Sequence, residues 1–200
     1  MMRRWILTGL LVAAAGQLGS AAWIQGKGRL GQWLLERAWQ RSQDETAPVR
    51  PWPGARTRPL ARLEVPALGV RRLVVRGIDT PNLAWGPGAL RGPSGHVVMA
   101  GHRDTHFGFL GRLRPGHAID LTWHDGTQRR WRVESLRVVD ARETMLDPGA
   151  PGPLLTLVTC YPIDAAGAGG PERLVITARP VRDRSAAAVR RPARLARWAA

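Results

Sequence analysis

The region from residue 58 to 180 consists of short apolar runs separated by Gly, Pro and Asp. Ile119, Leu121 and Trp123 alternate with polar residues, which is typical of a strand with one buried face. Asp125-Gly126 follows directly and is a strong signal for a hairpin turn. The pattern therefore predicts two antiparallel strands joined at this turn.

The return strand of this hairpin changes phase once. Trp131 and Val133 keep the alternation, whereas Leu136 and Val138 lie one step out of phase. An extra residue in one strand produces such a slip, so we predict a β-bulge at Glu134-Ser135.

Seven or eight short strands and few helices indicate a mostly β fold, a closed or nearly closed barrel. A chain of 200 residues with 44% apolar composition is large enough for one anchored domain with its own core, and too small for two. Asp79 to Leu83 is predicted to form a turn or a short helix between strands.

Three predicted strands carry a reactive side chain at one end. Leu154 to Thr159 is an apolar and β-branched run that leads into Cys160, the only cysteine, and Pro162 ends the strand. The run from His96 to His102 is a second such strand. Arg173 begins a third, and if it pairs antiparallel with the cysteine strand, Arg173 and Cys160 lie side by side.

Each of these residues alone also has an ordinary structural interpretation. A single cysteine is among the most buried residue types, and a lone histidine is more often hydrogen-bonded than catalytic. Downstream of His102, Asp104 or Thr105 is predicted to cap a short helix. Phe107, Leu110 and Leu113 would bury one face of that helix, because they recur at three-residue intervals.

The three residues together resemble a known pattern. The sequence Ala100-Gly101-His102-Arg103-Asp104-Thr105, then Thr156-Leu157-Val158-Thr159-Cys160 and then Arg173, resembles the sortase family of transpeptidases. Upstream, 63–70 resembles the first strand of that family and 85–90 its Gly-Pro-Gly loop. The resemblance covers about residues 58 to 180, and the nearest subgroup is the Gram-negative class of sortases.

The resemblance implies an eight-stranded sortase barrel and a cysteine transpeptidase. Cys160 would attack a peptide carbonyl and form a thioacyl enzyme, His102 would transfer protons, and Arg173 would hold the oxyanion or orient the substrate. Thr159 would lie beside the substrate. The substrate would be a protein with a C-terminal sorting signal similar to LPxTG, and an amine would accept the acyl group.

No cofactor or metal is expected. The histidines lack HExxH or comparable ligand spacing, and one cysteine cannot build a thiolate zinc site. Asp104 lies two residues after His102 and would permit a Cys-His-Asp triad, but the family's third member is an arginine. We therefore keep Asp104 as a helix cap.

The N-terminal segment predicts export. Residues 5–24 carry no charge and follow Arg3 and Arg4. This uncharged stretch has the length of a membrane span. We interpret 1–24 as a retained anchor, with a cleaved signal at Ser20-Ala21-Ala22 as the alternative. Both place the rest of the chain outside the cytoplasm, and the anchor interpretation predicts a single-pass inner-membrane protein with a periplasmic catalytic domain.

Residues 25–57 are predicted to form a stalk helix and a Pro-rich linker, followed by a catalytic domain at 58–180. The predicted stalk helix has one side formed by Leu30, Trp33, Leu34 and Trp39. A helix at the membrane surface would suit its tryptophan and arginine residues, whereas a helix packed on the domain is the ordinary alternative.

The formal charge of +15 comes from 29 arginines and one lysine against 15 acidic residues, and 181–200 is an Arg-rich tail. Nucleic-acid binding is not expected, because no binding motif accompanies the charge and the chain is exported. Contact with anionic lipid headgroups is one role for the tail, and a solvated tail is the other.

Two other functions fit parts of the pattern. An L,D-transpeptidase also uses cysteine, histidine and arginine on a β-rich fold, but its cysteine follows a glycine, whereas Thr159 precedes Cys160 here. A membrane-tethered binding module would use the basic surface to recruit an acidic partner. It predicts a buried, unreactive Cys160.

Overall fold

The computed structural model describes residues 30–181 except 44, 46, 166 and 168. Residues 30–42 form helix α1, and Thr80–Leu83 forms the short helix α2. The strands of the described residues are β1 Pro59–Val65, β2 Val70–Arg76, β3 Gly88–Arg91, β4 Val97–Ala100, β5 Ala118–Trp123, β6 Gln128–Asp140, β7 Leu155–Cys160 and β8 Glu172–Pro180.

The strands close into a barrel in the order β1-β2-β3-β4-β7-β8-β6-β5, with β5 pairing back onto β1. Pairs β2/β3 and β4/β7 are parallel, and the other pairs are antiparallel. The predicted mostly β, eight-stranded barrel is therefore confirmed. Closure matters for stability, because it leaves no strand edge unpaired.

The alternation of apolar residues fills the inside of the barrel. Ile119 and Leu121 on β5 are fully buried, and Trp131 on β6 is 1% exposed. The predicted bulge is confirmed, because the pairing of β6 with β8 shifts between Val133 and Ser135. Beyond the bulge, Leu136 is partly buried against the core, whereas Val138 is 45% exposed.

The segment assigned to the family's first strand, 63–70, is divided between two strands. β1 ends at Val65, Pro66–Leu68 forms a 3-10 turn, and β2 begins at Val70. Pro66 cannot donate to a strand ladder, and Gly69 adopts a left-handed φ of 61°, so the chain reverses here.

Helix α1 packs on the outside of the barrel, and its buried face agrees with the predicted apolar side only at Trp39. Leu35, Ala38 and Trp39 are buried, whereas Leu30 is 54% and Trp33 52% exposed. Leu35 and Trp39 are four residues apart and therefore share a face. Of the two interpretations of this helix, the structure shows the one in which it packs on the domain.

The segment after His102 is a 3-10 helix at Gly108–Arg112, and no side chain caps it. The predicted cap by Asp104 or Thr105 is therefore wrong, because the helix begins too far downstream for either residue. The predicted buried positions are correct: Phe107, Leu110 and Leu113 are all fully buried.

Among residues 30–181, no helix is long and apolar enough to cross a membrane. The segment predicted as an anchor, 1–24, and the basic tail from 182 onward lie outside the described residues.

Candidate active site

Three neighbouring strands bring the predicted site residues to one end of the barrel. β4 and β7 run parallel with Ala100 opposite Val158, so the chain positions two residues later, His102 and Cys160, lie level with one another. β8 runs antiparallel to β7, and Cys160 is paired directly with Arg173. The side-by-side placement of Cys160 and Arg173 expected from the sequence is therefore present.

His102 and Cys160 line the same cavity, which has a volume of about 510 Å³ and which we call the cysteine cavity. Its other lining residues are Arg103, Asp104, Ala165, Gly167 and Gly169. The Cys160 side chain is partly accessible and makes no disulfide, and His102 is exposed. A thiol and an imidazole in one solvent-connected cavity can act as nucleophile and proton carrier.

Thr159 faces the other way along the strand from Cys160. It is 3% exposed, and its hydroxyl donates to the Gly101 carbonyl at 2.8 Å. The backbone N–H of Gly101 in turn donates to the Val158 carbonyl. As placed here, Thr159 fixes the backbone next to His102 instead of presenting its side chain to a ligand.

Arg103 is a residue of the site that the sequence did not single out. Its side chain is 3% exposed, Nη1 donates to the Pro162 carbonyl at 2.7 Å, and Nη2 donates to the Gly167 carbonyl. Asp104, which is 70% exposed, accepts from Nε at 3.1 Å. Because the loop after Cys160 forms one wall of the cysteine cavity, Arg103 ties that wall to the segment carrying His102.

Gly169 packs closely against both Arg103 and Cys160. A Cβ there would lie 3.3 Å from Arg103 Nη1 and 3.4 Å from the Cys160 Cβ. In the sequence, Arg103 could have been noticed only because it follows His102 directly. Its burial could not be predicted, because arginine is usually an exposed residue.

Arg173 lies next to Cys160 but opens onto a different depression. Its Nη1 donates to the carbonyls of Gly170 and Glu172, both at 2.8 Å. Together with Val158, Val175 and the connection after β6, it lines a groove of about 440 Å³, which we call the outer groove. Cys160 therefore stands between a cavity with His102 and a groove with Arg173.

Arg142, which lines the outer groove, forms a tight ion pair with Asp140. Arg142 donates to both carboxylate oxygens of Asp140, and its backbone N–H donates to the same carboxylate. These bonds, with smaller help from the charges of Arg142 and Arg173, lower the pKa of Asp140 to about 2. Asp140 is thus a fixed negative charge beside Arg173 at all ordinary pH values.

Within the described ranges, no cluster of three or more His, Cys, Asp or Glu side chains is arranged to hold a metal ion. This end of the barrel brings together a thiol, an imidazole and a guanidinium, with the Asp104 carboxylate in the same cavity as the first two.

A sortase domain family model matches residues 63–181, which is more than half of the chain and includes His102, Cys160 and Arg173. The chain belongs to the sortase family. The predicted family is confirmed, and the alternative of an L,D-transpeptidase is not favoured. The Gram-negative class remains a prediction.

Individual relatives agree with this membership. Sortase D of Bacillus subtilis is 29% identical over 125 residues, covering 60% of this chain and 62% of the relative, so this chain spans under two thirds of that protein. Sortase A from Corynebacterium diphtheriae matches with a TM-score of 0.54 and 27% identity, covering 64% of this chain and 63% of that one. Sortase C-1 from Actinomyces oris matches with a TM-score of 0.53 and 30% identity, covering 62% and 72%.

Proposed function

We propose that this sortase is a cysteine transpeptidase that cleaves a C-terminal sorting signal similar to LPxTG and transfers the acyl group to an amine. The observation that carries the proposal is the position of Cys160, which shares a cavity with His102 and a rung of the sheet with Arg173. A thiolate is a strong enough nucleophile to attack an unactivated peptide carbonyl.

In the proposed reaction the Cys160 sulfur forms a bond to the scissile carbonyl carbon. The C–N bond then breaks, and protonated His102 gives its proton to the departing amine. An incoming amine attacks the thioacyl carbon, His102 takes a proton from it, and the Cys160 sulfur is released. The exposed position of His102 allows both amines to reach it.

Arg173 would hold the developing oxyanion or orient the substrate backbone. Its guanidinium already donates to two carbonyl oxygens, those of Gly170 and Glu172, at the end of β8. A substrate oxygen can replace the Gly170 carbonyl as acceptor without leaving a buried group unpaired, since this arginine is partly exposed.

The outer groove supports an extended peptide beside Cys160. Val158 and Val175 supply an apolar floor, and Met145, 93% exposed, stands at its rim. An apolar side chain of a sorting signal fits such a floor, while Arg173 at the same groove binds the peptide backbone.

We also propose that residues 1–24 hold the catalytic domain at the outer face of the cytoplasmic membrane. The support is the uncharged stretch 5–24 after Arg3 and Arg4. Fractionation of cells expressing the full chain would test it, and recovery of a mature protein lacking this segment would favour the cleaved signal instead.

The test of activity uses the full chain in detergent with a peptide bearing an LPxTG-like signal, followed by intact mass. A thioacyl adduct that hydroxylamine releases, and that Cys160→Ala abolishes, is the expected result. Ready alkylation of Cys160 without an adduct would reject the substrate and retain the nucleophile. A Cys160 inert to alkylation in the folded chain would favour the binding module, although its partial exposure argues against that outcome.

A further inference from the structure

A second cavity lies away from Cys160, between helix α1 and the barrel. It has a volume of about 660 Å³. We call it the helix cavity, and the residues used below are Gln32, Glu36, Arg62, Arg71, Arg72 and His106. Trp85 and Leu73 complete an apolar part of its wall.

Helix α1 is seated closely enough to be a permanent wall of this cavity. A Cβ at Gly31 would lie 2.1 Å from the ring of Trp85, so only glycine permits this approach. Gln32 Nε2 donates to the Trp85 carbonyl at 2.6 Å, and Glu36 forms an ion pair with Arg62. The helix therefore contributes side chains to a site as well as linking the N-terminal segment to the barrel.

The charges of the cavity leave a positive excess. Arg62 is paired with Glu36, and Arg71 with Glu64 at 2.5 Å. Among the residues that the structure describes, Arg72 has no acidic partner, and its Nη1 donates to the backbone carbonyl of Arg71. A guanidinium with free donors in a partly enclosed cavity is suited to a carboxylate or a phosphate.

The helix cavity is connected to the active-site segment through His106. The backbone N–H of His106 donates to the His102 carbonyl at 3.1 Å, and the His106 ring bonds the Ala84 carbonyl. Burial, and then the charges of Arg72 and His102, lower the pKa of His106 despite the bond to Ala84. His106 is therefore a neutral hydrogen-bonding group at pH 7, positioned between Arg72 and the residue that handles the incoming amine.

We propose that the helix cavity binds a carboxylate or phosphate group carried by the amine acceptor, with Arg72 as its principal contact. This inference rests on the proposed transpeptidase activity. An anion held here leaves the amine end of the same molecule free to approach His102 and Cys160, so the cavity selects acceptors that carry a negative charge.

Binding is tested first, without any reaction. The full chain in detergent, labelled with ¹⁵N-histidine, is titrated with inorganic phosphate and separately with glutarate. We expect a saturable shift of the His106 ring signals in the wild type. In Arg72→Gln the dissociation constant should rise about tenfold to a hundredfold, the range for a lost charge-assisted hydrogen bond.

The matched control is Arg132→Gln, which removes an exposed arginine of β6 whose Nη1 donates to the Gly116 carbonyl. This variant has the same net charge as Arg72→Gln and should bind as the wild type does. Equal weakening in both variants, or equal affinity of Arg72→Gln and the wild type, would overturn the site, because the anions would then be responding to the overall charge.

Acceptor selection is tested next with three peptides, Gly-Gly-X-amide, in which X is serine, aspartate or phosphoserine. For the wild type, transfer relative to hydrolysis should favour the charged peptides, and whichever of the two is preferred identifies the anion. Arg72→Gln should remove the preference and leave the rate of thioacyl formation unchanged. A preference that persists in Arg72→Gln would contradict the proposal.

The two experiments separate the failure of this inference from the failure of the proposed function. If no thioacyl enzyme forms with any peptide donor, the transpeptidase proposal fails, and the titration still decides whether the anion site exists. If transfer occurs but neither Arg72 nor the acceptor charge affects it, the activity stands and the helix cavity has no part in it.

Discussion

Two arginines lie beside the candidate nucleophile, and their surroundings differ. Arg103 is almost fully buried and donates to the carbonyls of Pro162 and Gly167 across the cysteine cavity. Arg173 is partly exposed and donates to the carbonyls of Gly170 and Glu172, close to it in the chain. Arg103 therefore joins two separate segments of the chain, whereas Arg173 bonds only backbone carbonyls within three residues of itself.

This difference assigns different roles to the same side chain. The Arg103 guanidinium is buried, so water cannot readily replace the two carbonyls that it bonds, and these bonds hold the loop to the segment carrying His102. The Arg173 guanidinium is partly exposed, so its acceptors can be exchanged for a ligand at small cost. Partners and burial, more than charge, therefore distinguish the positioning arginine from the one available to a substrate.

The largest expected effect is on the reaction and concerns Arg173. Arg173→Gln should slow thioacyl formation about 10²- to 10³-fold, equivalent to about 2.7–4 kcal/mol, because a donor to the developing oxyanion is removed. The free energy of unfolding of Arg173→Gln should differ from that of the wild type by less than about 1 kcal/mol, as is usual for substitutions near the surface. Single-turnover mass spectrometry and denaturant unfolding measure the two quantities.

The matched control for Arg173 is Arg142→Gln, which removes a guanidinium from the same groove. It should leave the rate within a few-fold of the wild type. Equal slowing in both variants would mean that the groove requires positive charge in general, and the special role of Arg173 would have to be abandoned.

The next effect is on stability and concerns Arg103. Arg103→Met should lower the free energy of unfolding by about 1–2 kcal/mol, because two charge-assisted bonds are lost while water can still reach the Pro162 and Gly167 carbonyls. Arg103→Lys keeps the charge but not the forked geometry of the donors. Its free energy of unfolding should lie between those of Arg103→Met and the wild type. A fully stable Arg103→Met would show that the loop holds itself in place.

A smaller effect on stability is expected for Thr159, which is buried next to Cys160 on β7. Thr159→Val keeps the shape of the side chain and removes the donor to the Gly101 carbonyl, which should cost about 1 kcal/mol of unfolding free energy. Thr159→Ser retains the hydroxyl and serves as control. If Val is neutral while Ser destabilises, the methyl group rather than the hydrogen bond fixes this residue.

The smallest effect is on the pH dependence of stability and concerns Asp140, which lies beside Arg173. Its pKa of about 2 lies below the ordinary value of 3.8, so its ion pair stabilises the fold above about pH 4 and is lost as the pH falls toward 2. Arg142→Gln should raise this pKa toward its ordinary value, as followed by carboxyl titration in NMR spectra. An unchanged pKa would mean that other groups hold the charge.

The sequence by itself determined the barrel and the three residues at its end. Alternating apolar residues specify strands, a phase slip specifies the bulge of β6, and turn residues set where strands end. The strand patterns and the bulge are local properties, and local patterns encode them. The meeting of Cys160, His102 and Arg173 at one end of the barrel depends on how β4, β7 and β8 pair, which the sequence supplied as a conditional expectation and the resemblance to sortases implied.

Only the tertiary structure decided the burial of Arg103, the inward position of Thr159 and the packing face of helix α1. The sequence placed Leu30, Trp33, Leu34 and Trp39 on one side of the helix, and contact with the barrel buried Trp39 together with Leu35 while Leu30 and Trp33 stayed exposed. An arginine or a threonine is buried when a distant segment supplies its partners, as the 161–170 loop does for Arg103. Contacts between distant segments form only when the barrel closes, and a short stretch of sequence carries no information about that closure.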